Sequence, residues 1–249
     1  MNADEIFQRF MLVQQEQLSA FDGLADAVDH VAHSRPSSRQ RVILSNNLVV
    51  GLTARIEEAL RECFKEYLLV AQECDLLFTE MRPQLQKASY KGALEALKRL
   101  EKTRDWQSAA VTIGELQDCL SGTKNFQLEI ERVIDNQGNM RSQQITDIAQ
   151  RFGISEFWGS IALAESLEEY FGGLTVDTRK TQIIQKWNGI FDERDLVVHR
   201  VSQANGWSAE MILEHITFAK LVVEQIGASL ASDCNSWIRE CDGRRIPRA

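Results

Sequence analysis

The sequence predicts an all-α fold, a helical bundle with an N-terminal helical extension. Three observations carry this. Apolar residues recur at spacings of three, four and seven along most of the chain. No two alternating apolar–polar runs are joined as a strand pair. Only three prolines interrupt the 249 residues, and the loop signals are short clusters of Gly, Ser, Asn and Asp.

Phe7, Phe10, Gln14, Leu18, Phe21, Val28 and Val31 fall near one face of a first helix, with Gln14 alone breaking the stripe. It ends at the loop Ser34–Arg39. A long second helix, from about Val42 to Leu69, repeats Val42, Val49, Leu52, Ile56, Leu60, Cys63 and Tyr67. Its other side carries Arg55, Glu57, Arg61, Glu62, Lys65 and Glu66, the pattern of a solvated face. Pro83 and Gly92 bound short helical pieces, with Ala93, Leu97 and Leu100 as a buried stripe. Loops are signalled at 121–125, 135–139 and 171–174. Ile183, Trp187 and Ile190 stripe the next helix. After Asn205–Gly206, Ser208 is a good N-cap for a closing helix, to about Trp237, with Ile212, Ile216, Ala219, Val223, Ile226 and Leu230 inward. The expected organisation is residues 1–35 as the extension and 36–249 as one compact helical domain.

Composition is that of an ordinary globular chain: 44% hydrophobic and 26% charged. A net charge of -8 argues against non-specific coating of nucleic acid, leaving only a local basic pocket for RNA. The start MNADEIFQRF lacks a secretory signal and no run is long enough to span a membrane, so a cytoplasmic protein is expected, with no membrane partner. Five scattered cysteines without a CxxC fit reduced thiols rather than a disulfide framework or zinc site.

Three further signals have plain structural readings. The stretch Ile145–Ser155 looks like the front of a helix-turn-helix. Its would-be recognition helix, 156–171, carries Glu156, Glu165, Glu168 and Glu169, and no Lys or Arg lies between Arg151 and Arg179. The phosphates of a major groove would repel it, so no duplex DNA partner is expected. His30 and His33 stand one turn apart, yet no cysteine pair or Glu-x-x-His accompanies them. They suit a helix end better than a metal, and no metal or other cofactor is expected. The basic residues from Lys87 to Arg104 alternate with acidic and apolar ones and read as a solvated face.

The segment Arg194-Asp195-Leu196-Val197-Val198-His199 differs from these. A loose Arg–His spacing arises by chance about once in such a chain, but here Asp follows the arginine, three apolar residues can anchor the segment in a core, and an amphipathic helix leads into it. Histidine titrates nearest neutrality, and arginine is a permanent fork for phosphoryl oxygens. These residue types suit phosphodiester transfer. One histidine is too few for both acid and base, and positions five apart on a helix point roughly 140° away from each other. A two-fold dimer axis near the motif would resolve both problems; Trp187, Ile190 and Phe191 either extend that contact or are core.

This segment, with a long early helix and a long closing helix around it, resembles the signature of the HEPN superfamily, in particular the larger bacterial RiboL-PSP-HEPN/MAE-like type. The resemblance covers about Arg39 to Trp237. The N-terminal helix and 85–121 go beyond a minimal domain of that kind. It implies a HEPN-type bundle and a metal-independent endoribonuclease, with Arg194 and His199 as catalytic residues of a site formed between two copies. It also implies an RNA substrate such as tRNA, a toxin or phage-defence role, and an antitoxin or defence-system partner. Asp195 either orients the imidazole or a water, or is a surface or capping carboxylate; Arg200 either attracts substrate phosphate or is a solvated charge. The competing reading is a non-catalytic HEPN-like interaction module that binds a protein or nucleotide.

Overall fold

The computed structural model describes residues 3–34, 37–74, 76–122, 133–134, 139–199 and 207–245. Among these there are helices and no strand, as the periodicity predicts. In chain order they are α1 (Ala3–His33), α2 (Ser38–Glu73), a 3₁₀ turn (Phe78–Glu80), α3 (Pro83–Thr103), α4 (Trp106–Ser121), α5 (Ser142–Arg151), α6 (Phe157–Ala162), α7 (Glu165–Tyr170), α8 (Val176–His199) and α9 (Ala209–Arg245).

Helices α1, α2 and α9 pack against one another as the central layer. Helix α8 lies on α2, and α6 lies on α8. The faces read from the sequence are the buried ones: Val49, Leu52, Ile56, Leu60, Cys63 and Tyr67 on α2, and Ile212, Ile216, Ala219, Val223, Ile226 and Leu230 on α9. Fully burying side chains of this size stabilises the fold by about 1.5–3 kcal/mol each. Ala93 is buried on α3, whereas Leu97 and Leu100 are half-buried.

Local chemistry sets the boundaries. Ser37 and Gln40 form a capping box: the Ser37 N–H donates to Gln40 Oε1 at 3.0 Å, and Ser37 Oγ accepts from the Gln40 N–H. Helix α2 therefore starts at Ser38, earlier than the apolar stripe suggests. Asp105 caps α4, accepting from the Ser108 N–H at 3.1 Å. Ser208 accepts from the Met211 N–H at 3.2 Å and starts α9, which continues past Trp237 to Arg245.

Helix α1 packs into the core, with Ile6, Phe10, Phe21 and Val28 buried in the same cluster as α2 and α9. Phe7 is 52% exposed and Ile6 takes the inward place. Gln14 does not break the stripe. It is 2% exposed, and its Nε2 donates to the Glu224 carbonyl of α9 at 2.7 Å. It does so over Gly227, where any Cβ would overlap the Gln14 carboxamide.

The helix-turn-helix look-alike also differs from expectation. The stretch 156–171 is two six-residue helices, broken at Leu163–Ala164. Arg179 of α8, 2% exposed, holds the break: its Nη1 donates to the Ala162 carbonyl at 2.7 Å and its Nη2 to the Leu174 carbonyl at 3.0 Å. Phe157, Trp158, Ile161 and Ala162 of α6 are buried. The turn needs glycine: Gly153 has φ +76°, and a Cβ there would come 2.8 Å from Arg82 Cδ.

Candidate functional site at the end of α8

Helix α8 has two working faces. Ile183, Trp187, Ile190 and Phe191 are fully buried against the body. Asn188, Asp192 and Asp195, at i, i+4 and i+7, share another face, and the chain segment 139–142 is strapped across it. Trp187 Nε1–H donates to the Met140 carbonyl at 2.8 Å. The Ser142 N–H donates to Asn188 Oδ1 at 2.9 Å, and Asn188 Nδ2–H returns to Ser142 Oγ at 2.9 Å. Trp158 Nε1–H donates to the Ser142 carbonyl at 3.1 Å. These bonds fix Arg141, whose Nη1 donates to Asp192 Oδ1 at 2.6 Å and whose Nη2 donates to Asp195 Oδ2 at 2.9 Å.

Asp195 is the hub. Its Oδ1 accepts from Arg194 Nη1 at 2.9 Å and from Asn139 Nδ2 at 3.4 Å. Burial alone would raise its carboxyl, but the hydrogen bonds from Arg194 and then Arg141 outweigh it and hold the group below the usual range. Glu57 of α2 faces Arg194 from the opposite helix and accepts the Met140 N–H. Its partial burial pushes the carboxyl up, against the pull of Arg194 and Arg61. One residue before the motif arginine, Glu193 Oε2 lies 2.9 Å from His215 Nε2 of α9, tying the end of α8 to the closing helix.

The structure brings Arg194 and Asp195 together but leaves His199 apart. His199 is exposed in the last turn of α8, and no hydrogen bond joins it to Asp195 among the described residues. The bonds Asp195 makes here are to the two arginines and Asn139. Of the three apolar residues between Asp195 and His199, Val197 alone is buried; Leu196 and Val198 are 44% and 43% exposed. Consecutive helical residues cannot share one face, so the segment cannot anchor as a block. Trp187, Ile190 and Phe191 are core: all three are fully buried within the chain. Arg200 lies outside the described residues.

The remaining candidates have quieter places. His30 and His33 are exposed at the end of α1, where His33 Nδ1–H donates to the Asp29 carbonyl at 2.7 Å. Among the described residues no group of His, Cys, Asp or Glu could hold a metal ion, and no disulfide joins the cysteines. Burial pushes the Cys63 thiol up to about 12 and the Cys119 thiol to about 11. Lys87, Lys91, Lys98, Arg99 and Lys102 are exposed along α3. No described helix is long and apolar enough to cross a membrane.

Sequence reasoning missed Arg141, Asn139 and Asn188. The polar stripe Asn188–Asp192–Asp195 has helical spacing and was readable; nothing near Arg141 marks it as their partner.

An all-α bundle presenting an arginine and a histidine on one late helix, between a long early and a long closing helix, defines a HEPN-type domain. The chain belongs to the RiboL-PSP-HEPN family, whose sequence model matches residues 16–232. No curated protein and no solved structure matches it.

Proposed function

We propose that the protein is a metal-independent endoribonuclease acting at a site shared by two copies of the chain. The observation that supports this most is the state of the motif. Arg194 is braced by Asp195 and partly open to solvent, while His199 is exposed with Leu196 and Val198 beside it. Exposed apolar residues flanking a histidine suit a two-fold contact, which would place two imidazoles and two arginines around one phosphate.

In this mechanism one His199 takes the proton of the RNA 2′-hydroxyl. The 2′-oxygen attacks phosphorus, and the bond to the 5′-oxygen breaks. His199 of the second copy gives a proton to that leaving oxygen. Arg194 donates to the oxygens that carry charge in the phosphorane. The products are a 2′,3′-cyclic phosphate and a 5′-hydroxyl. A toxin or phage-defence role, with tRNA among the substrates and an antitoxin or defence protein as restraint, belongs to the same proposal.

A second reading has its own support. Arg141, Arg194, Asp192 and Asp195 cancel in charge, which suits a non-catalytic module that binds a protein or nucleotide. Incubation with total RNA and tRNA in excess chelator separates the two. Discrete fragments ending in cyclic phosphate are expected; intact RNA, or cleavage that requires Mg²⁺, rules the mechanism out.

A further inference from the structure

We propose that Arg141 is a second phosphate-binding cation of the motif site, set beside Arg194 by their shared partner Asp195 and aimed at the RNA backbone. The inference rests on the reading that this end of α8 takes RNA, and adds a residue outside the six-residue motif.

Three observations support it. First, the two guanidiniums are bound to the two oxygens of one carboxylate, each at 2.9 Å. A carboxylate so shared keeps both planar groups around one side chain, close enough for two arginines to address the same stretch of phosphate backbone. Second, Arg141 is held in place before any ligand arrives. Its neighbours Met140 and Ser142 are bonded to Trp187 and Asn188 of α8, and its own side chain to Asp192 and Asp195. Little side-chain entropy remains to be lost on binding. Third, it is partly open, with 27% of the side chain exposed, much like Arg194 at 30%. Of the five N–H donors of a guanidinium, the bonds to Asp192 and Asp195 use two.

Asp192 has a definite part in this arrangement. It is 66% exposed, binds Arg141 Nη1 and competes with an incoming phosphate for that donor. A purely structural Arg141 would make Asp192 a brace; a phosphate-binding Arg141 makes it a gate of opposite sign. Removing its charge distinguishes the two.

The experiment uses a fluorescent 2′-O-methyl oligoribonucleotide, which lacks the attacking hydroxyl and cannot be cut. Its binding is followed by anisotropy at several KCl concentrations for the full chain and for Arg141→Gln and Asp192→Asn. Arg141→Gln should bind about tenfold more weakly or worse, and its slope of log affinity against log salt should be shallower by about 0.7, the loss of one single-strand phosphate contact. Asp192→Asn should bind more tightly than the native chain. Native affinity and slope in Arg141→Gln overturn the inference and leave the ribonuclease reading intact. Should Arg141→Gln fail to fold, unchanged or weaker binding by Asp192→Asn overturns it instead. Binding by the native chain without cleavage of ordinary RNA retires the nuclease and keeps the phosphate site. No binding by the native chain overturns both.

Discussion

Arg141 Nη2 lies 2.9 Å from Asp195 Oδ2, joining the start of α5 to the motif at the end of α8. The motif is therefore not a property of one helix. Its acidic residue is shared between the helix that carries the histidine and a strap that crosses it, and the setting of Arg194 depends on both. Asp195→Asn should leave the fold intact and release both guanidiniums. Misplacing a reacting group by about 1 Å costs about 10²-fold, so cleavage should fall by about that factor. Undiminished cleavage in Asp195→Asn with normal helicity would remove Asp195 from the site.

His199→Ala should lower cleavage by about 10²–10⁴ through lost proton transfer. Arg194→Ala should lose about 10²–10³ through the missing donor to the phosphorane. Neither side chain is buried, so melting temperatures should stay close to native. Rates on a defined tRNA substrate check this, and full activity in His199→Ala would be fatal to the mechanism.

At the motif, Leu196 and Val198 are exposed, whereas Trp187, Ile190 and Phe191 are buried. Leu196→Glu combined with Val198→Glu should give a folded, inactive monomer by sedimentation. Native activity per chain should be constant above the dimer dissociation constant and fall on dilution below it. A stable monomer with undiminished turnover at every dilution would exclude a shared site.

Acid should act on Asp195 and Glu57 with opposite signs. Asp195 is held low, so its contribution to stability is present above the unfolded value of about 3.9 and lost as pH falls through the lower folded value. Glu57 is raised by burial, so its contribution is present below about 4.3 and lost as pH rises through the folded value. Relative to the native chain, Glu57→Gln should raise the melting temperature at pH 7 and gain nothing near pH 4. Asp195→Asn should lower it at pH 7, with the deficit shrinking in acid. Differences that stay flat from pH 3 to 8 would refute these assignments.

The α5–α6 pair should not bind duplex DNA, since α6 is six residues long and its large side chains are buried. A retarded band in a gel at moderate salt, abolished by substitutions in 145–162, would contradict this.

How much of this was legible beforehand depended on the period of the signal. The inward faces of α2 and α9 repeat for about five turns, and the sequence alone located them. The Ser37–Gln40 capping box was equally readable and moves the start of α2 back to Ser38. The break at Ala164 was not readable, because its cause is Arg179, which reaches back to the Ala162 carbonyl from another helix. The candidate site divides the same way. Arg194, Asp195 and His199 stand together in the chain, whereas Arg141 reaches them only after the strap has folded across α8. The exposure of Leu196 and Val198 followed from helical geometry and was masked by reading three apolar residues as one block.

The contact of Gln14 with Gly227 bears on how this chain can change over generations. A methyl group at 227 would overlap the Gln14 carboxamide, so that side chain must either swing away and give up its bond to the Glu224 carbonyl or be shortened first. Mutations at the two positions are thus coupled: a change at 227 costs less once residue 14 is shorter. The family match covers residues 16–232, so position 14 lies just before the shared region and Gly227 near its end. Among descendants of this sequence, an alanine or serine at 227 should be found more often where the fourteenth residue has already lost its amide.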